Sequence, residues 1–360
     1  MQESNDSSCW SMSTLPERMS SLAESFVQRE SQDEEVVGVV VFGSFAQGRV
    51  GERSDLDLLV VEKNLDKWTS TRRRVEGIDL EIYRWPLEPF SRPFLGIRGD
   101  TYLDAFLFRV IRTGKVLYDP KRTLGEFKRY AETHKLPSSH VKWLADKANE
   151  SLHFARKLLG EEELEGAELK ARRAAEELAG AVLLERDILD IRPPKCYLPR
   201  LRDEVPEFYV AFREVHNLGK VRRNTITAAI SGISEWRDRV AEELRESGRE
   251  EWLKLEGAIS GAQTELSNAR DCLEMGDLEA AALQTRYSAI LVASSIARML
   301  RGKTWGDPSM RIVELLRSDH PYGDVLRLVM GFSRDEQRIK EHVAILEDEA
   351  KRFTRKRFPL

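Results

Sequence analysis

Residues 41–61 read VFGSFAQGRVGERSDLDLLVV. An apolar strand runs into Gly43-Ser44, and ten residues later Asp55 and Asp57 open a second apolar strand. A carboxylate is costly on a covered strand unless something offsets its charge. Side chains alternate across a strand, so Asp55 and Asp57 share one face. The runs VVGVVVF (36–42) and LDLLVV (56–61) are short, apolar and bounded by turn residues, as strands covered on both sides are. Further on, GIDLEIYRW (77–85) alternates, with Ile78, Leu80 and Ile82 on one face and Asp79 and Glu81 on the other. If the two acidic strands are neighbours, three or four carboxylates converge on one spot.

Such a cluster stays ionised only where cations neutralise it. Carboxylate oxygens suit hard divalent ions, and Mg²⁺ is commonly held by a few carboxylates together with substrate phosphates. Gly43 permits close backbone approach, and the amides and hydroxyl of Gly43-Ser44 suit phosphate oxygens. Carboxylates, metal and a phosphate holder together point to nucleoside triphosphate chemistry. In Gly43-Ser44, Ser54-Asp55-Leu56-Asp57 and Ile78-Asp79-Leu80 the chain resembles the polymerase-beta-like nucleotidyltransferase superfamily, in its minimal nucleotidyltransferase form, over about residues 35–119. The ending GKVLYDP (114–120) resembles the close of such domains.

That resemblance implies a mixed sheet with flanking helices. It also implies Mg²⁺-dependent transfer of a nucleoside monophosphate, AMP being expected, from an NTP to a hydroxyl, with release of pyrophosphate. Carried over by position, Asp55 and Asp57 hold two Mg²⁺ ions that arrive with the NTP. Asp79 completes the triad and orients or deprotonates the acceptor, while Glu81 stays open as the alternative third ligand. Gly43 and Ser44 bind the nucleotide. Gln47 stands where small members often carry Arg, and Arg72–Arg74 are read as a solvated turn.

Outward from this stretch, residues 1–14 are polar and expected to be disordered. Residues 15–125 are expected to form the nucleotidyltransferase domain. Beyond it the chain is rich in Ala, Leu, Glu, Arg and Lys, and contains a repeat. The segment starting at Ala148 aligns without gaps on the one starting at Ala262, pairing Leu152 with Leu266, Glu165 with Glu279 and Arg172 with Arg286. Small and apolar matches at helical spacing predict two antiparallel helices per copy around an acidic turn. Two helical bundles are expected, 126–247 and 248–360, giving an α+β chain with an all-α second half. Arg172 and Arg286 are expected either to pair with carboxylates or to line a pocket.

The helical half resembles HEPN-type domains and the C-terminal bundles of antibiotic nucleotidyltransferases. Active HEPN ribonucleases carry Arg and His with four to six residues between them. Here Arg338 and His342 are separated by three, so ribonuclease activity is not expected. The whole chain has 360 residues, a net charge near −4 and only three cysteines, at 9, 196 and 272. That balance argues against a general nucleic-acid binder, which needs a basic face. Scattered cysteines, no signal-like start and no long apolar run fit a cytoplasmic chain with no membrane contact. The helical half is expected to serve as the acceptor or partner platform. The acceptor is left as a small molecule, a protein hydroxyl or an RNA end, and pairing into a homodimer is left open. The alternative is an antitoxin-like protein that binds nucleotide or a partner with little catalysis; three converging acids favour the enzyme.

Overall fold

The computed structural model describes residues 14–51, 54–301, 308–333 and 335–357. The chain divides into two compact units, 1–137 and 138–360. The expected disordered tail lies outside the described residues, apart from Thr14.

The first unit is built on a five-stranded sheet in the order β3-β4-β2-β1-β5. Its strands are β1 (Val36–Phe42), β2 (Leu56–Glu62), β3 (Thr69–Val75), β4 (Ile78–Pro86) and β5 (Lys115–Tyr118). Only β2 and β4 pair in parallel, the other neighbours being antiparallel, so the sheet is mixed. The helices of this unit are α1 (Leu15–Glu30), the short α2 (Gly43–Ala46), α3 (Leu87–Ser91), α4 (Thr101–Thr113) and α5 (Thr123–Thr133). Pro16 sits in the first turn of α1, and the Glu17 carboxylate accepts the Thr14 N–H at 2.7 Å. Both features favour a helix start there.

Met19, Ala23 and Phe26 of α1 cover one sheet face, packing on Val39, Val41, Leu56, Leu58, Ile78, Leu80 and Ile82. The expected alternation of β4 thus decides which side is core. Arg84 on β4 pairs with Glu62 and, at 2.6 Å, with the buried Glu30 at the end of α1. Helix α5 belongs to this unit. Its Lys128 donates to the carbonyls of Ile111, Arg112 and Gly114 at 3.3, 3.0 and 2.8 Å, closing the C-terminal end of α4.

One reading changes. Residues Thr69–Val75, including Arg72–Arg74, are an edge strand rather than a turn. Their side chains are largely exposed, which hides the apolar period that marks an inner strand. Arginines there also discourage pairing of the open edge with another chain.

The second unit is wholly helical: α6 (Ser138–Gly160), α7 (Leu164–Glu185), α8 (Pro194–Glu204), α9 (Pro206–Val215), α10 (Arg223–Ser247), α11 (Arg249–Glu274), α12 (Leu278–Arg301), α13 (Pro308–Arg317), α14 (Tyr322–Met330) and α15 (Glu336–Arg357). The repeated segments are the hairpins α6–α7 and α11–α12. Helix α10 packs on α11 and α12, whereas α15, at the far end of the chain, packs on α6 and α7. A cut at 247/248 therefore separates α10 and α15 from the hairpins they cover. No helix among the described residues is long and apolar enough to cross a membrane.

Candidate functional site

The site is set by register. Parallel pairing of β2 with β4 places Asp57 opposite Glu81 and Leu56 opposite Leu80. The apolar partners turn to the α1 face, so the acids emerge together on the other. Carboxylate oxygens of Asp55, Asp57 and Glu81 lie within 4.8 Å of one another, each residue half-buried. No other such cluster occurs among the described residues.

Asp79 is placed differently. It shares the acidic face of β4, but it lies at the start of the strand, level with the edge strand, where β3 pairs Arg74 with Asp79. Its carboxylate lies 3.9 Å from both Arg72 Nη2 and Arg74 Nε, and Arg72 is also 3.7 Å from Asp55. The geometry thus gathers Asp55 and Asp57 with Glu81, and leaves Asp79 among arginines at the rim.

Gly43 explains why the loop after β1 begins with glycine. Its φ is +72°, in the left-handed region, and a Cβ there would come within 2.0 Å of Asp57 Oδ2. Only a bare backbone can pass the carboxylate this closely. The Ser44 hydroxyl bonds the Ser54 hydroxyl at 3.1 Å, and Ser54 also accepts the Gly51 N–H at 2.9 Å. Ser44 is thereby tied to the residue just before Asp55.

Behind the acids stands an aromatic wall that the sequence reading missed. Tyr83, two residues after Glu81, has ring centroids of Phe42 at 5.7 Å and Phe106 at 5.5 Å. Its phenol lies beside Glu81 on the same face of β4. Burial, then the charges of Glu81, Asp57 and Asp55, push its pKa far above the usual phenol range, so it stays a neutral O–H. The alternation of IDLEIYRW, followed to Tyr83, carried this signal.

The arrangement fits a hard divalent cation. Three carboxylates converge from two strands, Gly43 keeps the space beside Asp57 open, and a neutral phenol stands beside one carboxylate without adding charge.

Comparison with known proteins agrees. Residues 19–103 match the family described as nucleotidyltransferase domain. A relative in Methanocaldococcus jannaschii, provisionally named a protein adenylyltransferase, is 35% identical over 108 residues, covering 28% of this chain and 72% of that protein. A crystal structure of a nucleotidyltransferase-like protein from Exiguobacterium sibiricum overlaps 82% of this chain and 87% of its own, at 13% identity and a TM-score of 0.40. That overlap is too loose to bear on the helical unit. Residues 19–103 run from α1 through β4 into α4, and so take in Asp55, Asp57, Asp79 and Glu81. The chain belongs, through this first unit, to the nucleotidyltransferase family, and it is an enzyme that transfers a nucleoside monophosphate.

Proposed function

We propose that the chain is a Mg²⁺-dependent adenylyltransferase that moves AMP from ATP to a protein hydroxyl. The observation that carries this reading is the convergence of Asp55, Asp57 and Glu81 within 4.8 Å beside the glycine that a side chain would block. The provisional name of the Methanocaldococcus relative supports AMP as the group transferred and a protein as the acceptor.

Asp55, Asp57 and Glu81 would hold the divalent ions. Bound there with the triphosphate, they would supply charge stabilisation for an in-line displacement. The acceptor oxygen forms a bond to the α-phosphorus as the bond to the bridging oxygen of pyrophosphate breaks. Glu81, the carboxylate grouped with Asp55 and Asp57 from the neighbouring strand, takes the acceptor proton. The Tyr83 hydroxyl holds the Glu81 carboxylate in its orientation. Ser44, fixed through Ser54, presents its hydroxyl to the phosphates. Asp79 keeps Arg72 at the rim, where that guanidinium is within reach of the incoming triphosphate.

The test is incubation with α-phosphate-labelled ATP, GTP, CTP or UTP, with Mg²⁺ and a cell extract. Label from ATP should appear on protein and vanish when a chelator removes the metal. Transfer that survives chelation would contradict the metal dependence. Label from all four nucleotides alike would contradict the choice of AMP.

A further inference from the structure

The repeat in the helical unit contains a deliberate mismatch. In the first copy Arg172 is buried and pairs with Glu168, one helical turn earlier, at 2.5 Å. Glu168 also accepts from Asn217 Nδ2 at 3.3 Å and from the Ser333 N–H at 2.7 Å. In the second copy the equivalent of Arg172 is Arg286, and the equivalent of Glu168 is Ala282. Arg286 is equally buried, 6% exposed, but meets no carboxylate. Its Nε donates to the Val329 carbonyl at 3.2 Å and its Nη1 to the His216 carbonyl at 2.7 Å.

Where the missing carboxylate would be, there is a cavity of about 300 Å³ bordered by both Ala282 and Arg286. Three more cations border it, namely Lys220, Arg222 and Arg338, and no acidic residue is among those lining it. Arg286 Nη2 stands 4.0 Å from where a side chain on Gly331, another wall residue, would begin. The remaining wall mixes the polar Asn217, Thr225, Thr285 and Ser333 with an apolar side that includes Ile226, Ala229 and Phe332. A buried guanidinium with no directly paired carboxylate is costly, and Glu168 and Glu176 act on Arg286 only from a distance. Burial, and then Arg172, pull the Arg286 pKa down to about 9 against the opposing charges of Glu168 and Glu176. The volume is at the lower end for a pocket that encloses a small organic molecule.

We propose that this cavity binds a small organic anion, its phosphate or carboxylate head paired with Arg286 in the place that Glu168 fills in the first copy, and its apolar or aromatic body against Ile226, Ala229 and Phe332. The exposed Lys220 and Arg222 attract the head to the mouth. The site rests on the helical unit alone, and the transferase reading neither supports nor requires it.

The experiment is titration calorimetry on the full chain without divalent cations. Phenyl phosphate and phenylacetate serve as probes, with inorganic phosphate as head alone and benzyl alcohol as body alone. Saturable binding of one molecule per chain is expected for at least one amphiphilic anion, at least about tenfold tighter than either control. The stronger of the two probes identifies the head. Arg286→Met should weaken it by about tenfold or more, and Arg286→Lys by less. Should Arg286→Met fail to fold, Ala282→Glu decides. It rebuilds the internal pair of the first copy, so it should abolish binding while holding or raising the melting temperature. No saturable heat with either anion at about 1 mM, or unchanged binding in Ala282→Glu, would overturn the proposal.

Discussion

At the level of single residues, the site depends on side chains whose neighbours dictate their identity. Gly43 is the sharpest case, because both its φ and the 2.0 Å approach to Asp57 forbid a β-carbon. Gly43→Ala should push Asp57 from its place and lower AMP transfer by about a hundredfold, the usual cost of a displacement near 1 Å. The left-handed backbone adds about 1–2 kcal/mol of destabilisation. Label transfer and a urea melt read the two effects separately, and full activity in this variant would contradict the close approach. The acidic pair Asp55/Asp57 was legible from strand alternation alone. Alternation left the third acid open between Asp79 and Glu81, because it gives a face but no register. Asp79 and Glu81 share their face, and only the pairing of Asp57 with Glu81 separates them. The arginines that engage Asp79 come from β3, whose exposed side chains concealed a strand.

Tyr83 makes a prediction of the same kind. Its phenol lies beside Glu81 but touches no reacting atom, so it positions rather than catalyses. Tyr83→Phe should lower kcat by about ten- to a hundredfold, the loss of a single hydrogen bond to a charged group. Binding of ATP, read as KM, should change little. An unchanged kcat would make Tyr83 part of the apolar wall only.

Among elements, the repeated hairpins were readable because small and apolar residues recur at helical spacing through both copies. What the alignment could not show is which other helices cover each hairpin. Helix α15 crosses back to α6 and α7 from the end of the chain, a long-range choice made by packing. The charged positions of α7 carry a stability prediction. Glu168 and Arg172 are both almost fully buried, so Glu168→Ala leaves a guanidinium without its partner and should cost about 3–5 kcal/mol in urea unfolding. Replacing both, as Glu168→Leu with Arg172→Met, should cost less than the single change, since no charge is left unpaired. A double variant as unstable as Glu168→Ala would show that the two residues do not act as a pair.

For the whole molecule, the family was legible in residues 35–119, whereas the helical unit declared its secondary structure and its repeat but not its function. That unit should respond to acid. His342 is buried on α15, facing Arg338 and Arg172, with Glu341 partly opposing them. Burial first, and then those cations, lower its pKa from 6.5 to about 4. His216 is held well below its usual range by burial and by Arg172 and Arg286. A depressed folded pKa means that unfolding takes up protons, so the stability is present above pH 6.5 and drains away as the pH falls toward 4. His342→Leu should flatten the fall in ΔG between those limits, measured by urea unfolding at several pH values. An identical slope would remove His342 from the account.

The most direct test of the central claim compares Asp57→Asn, Glu81→Gln and Asp79→Asn in transfer of labelled AMP to protein, each variant first shown to be folded. With Asp55, Asp57 and Glu81 as the acting carboxylates, Asp57→Asn and Glu81→Gln should lose about a hundredfold or more. Asp79→Asn, which loses only rim ion pairs, should stay within about threefold of the wild type. Full transfer by Asp57→Asn, or a large loss in Asp79→Asn with Glu81→Gln unaffected, would contradict the account.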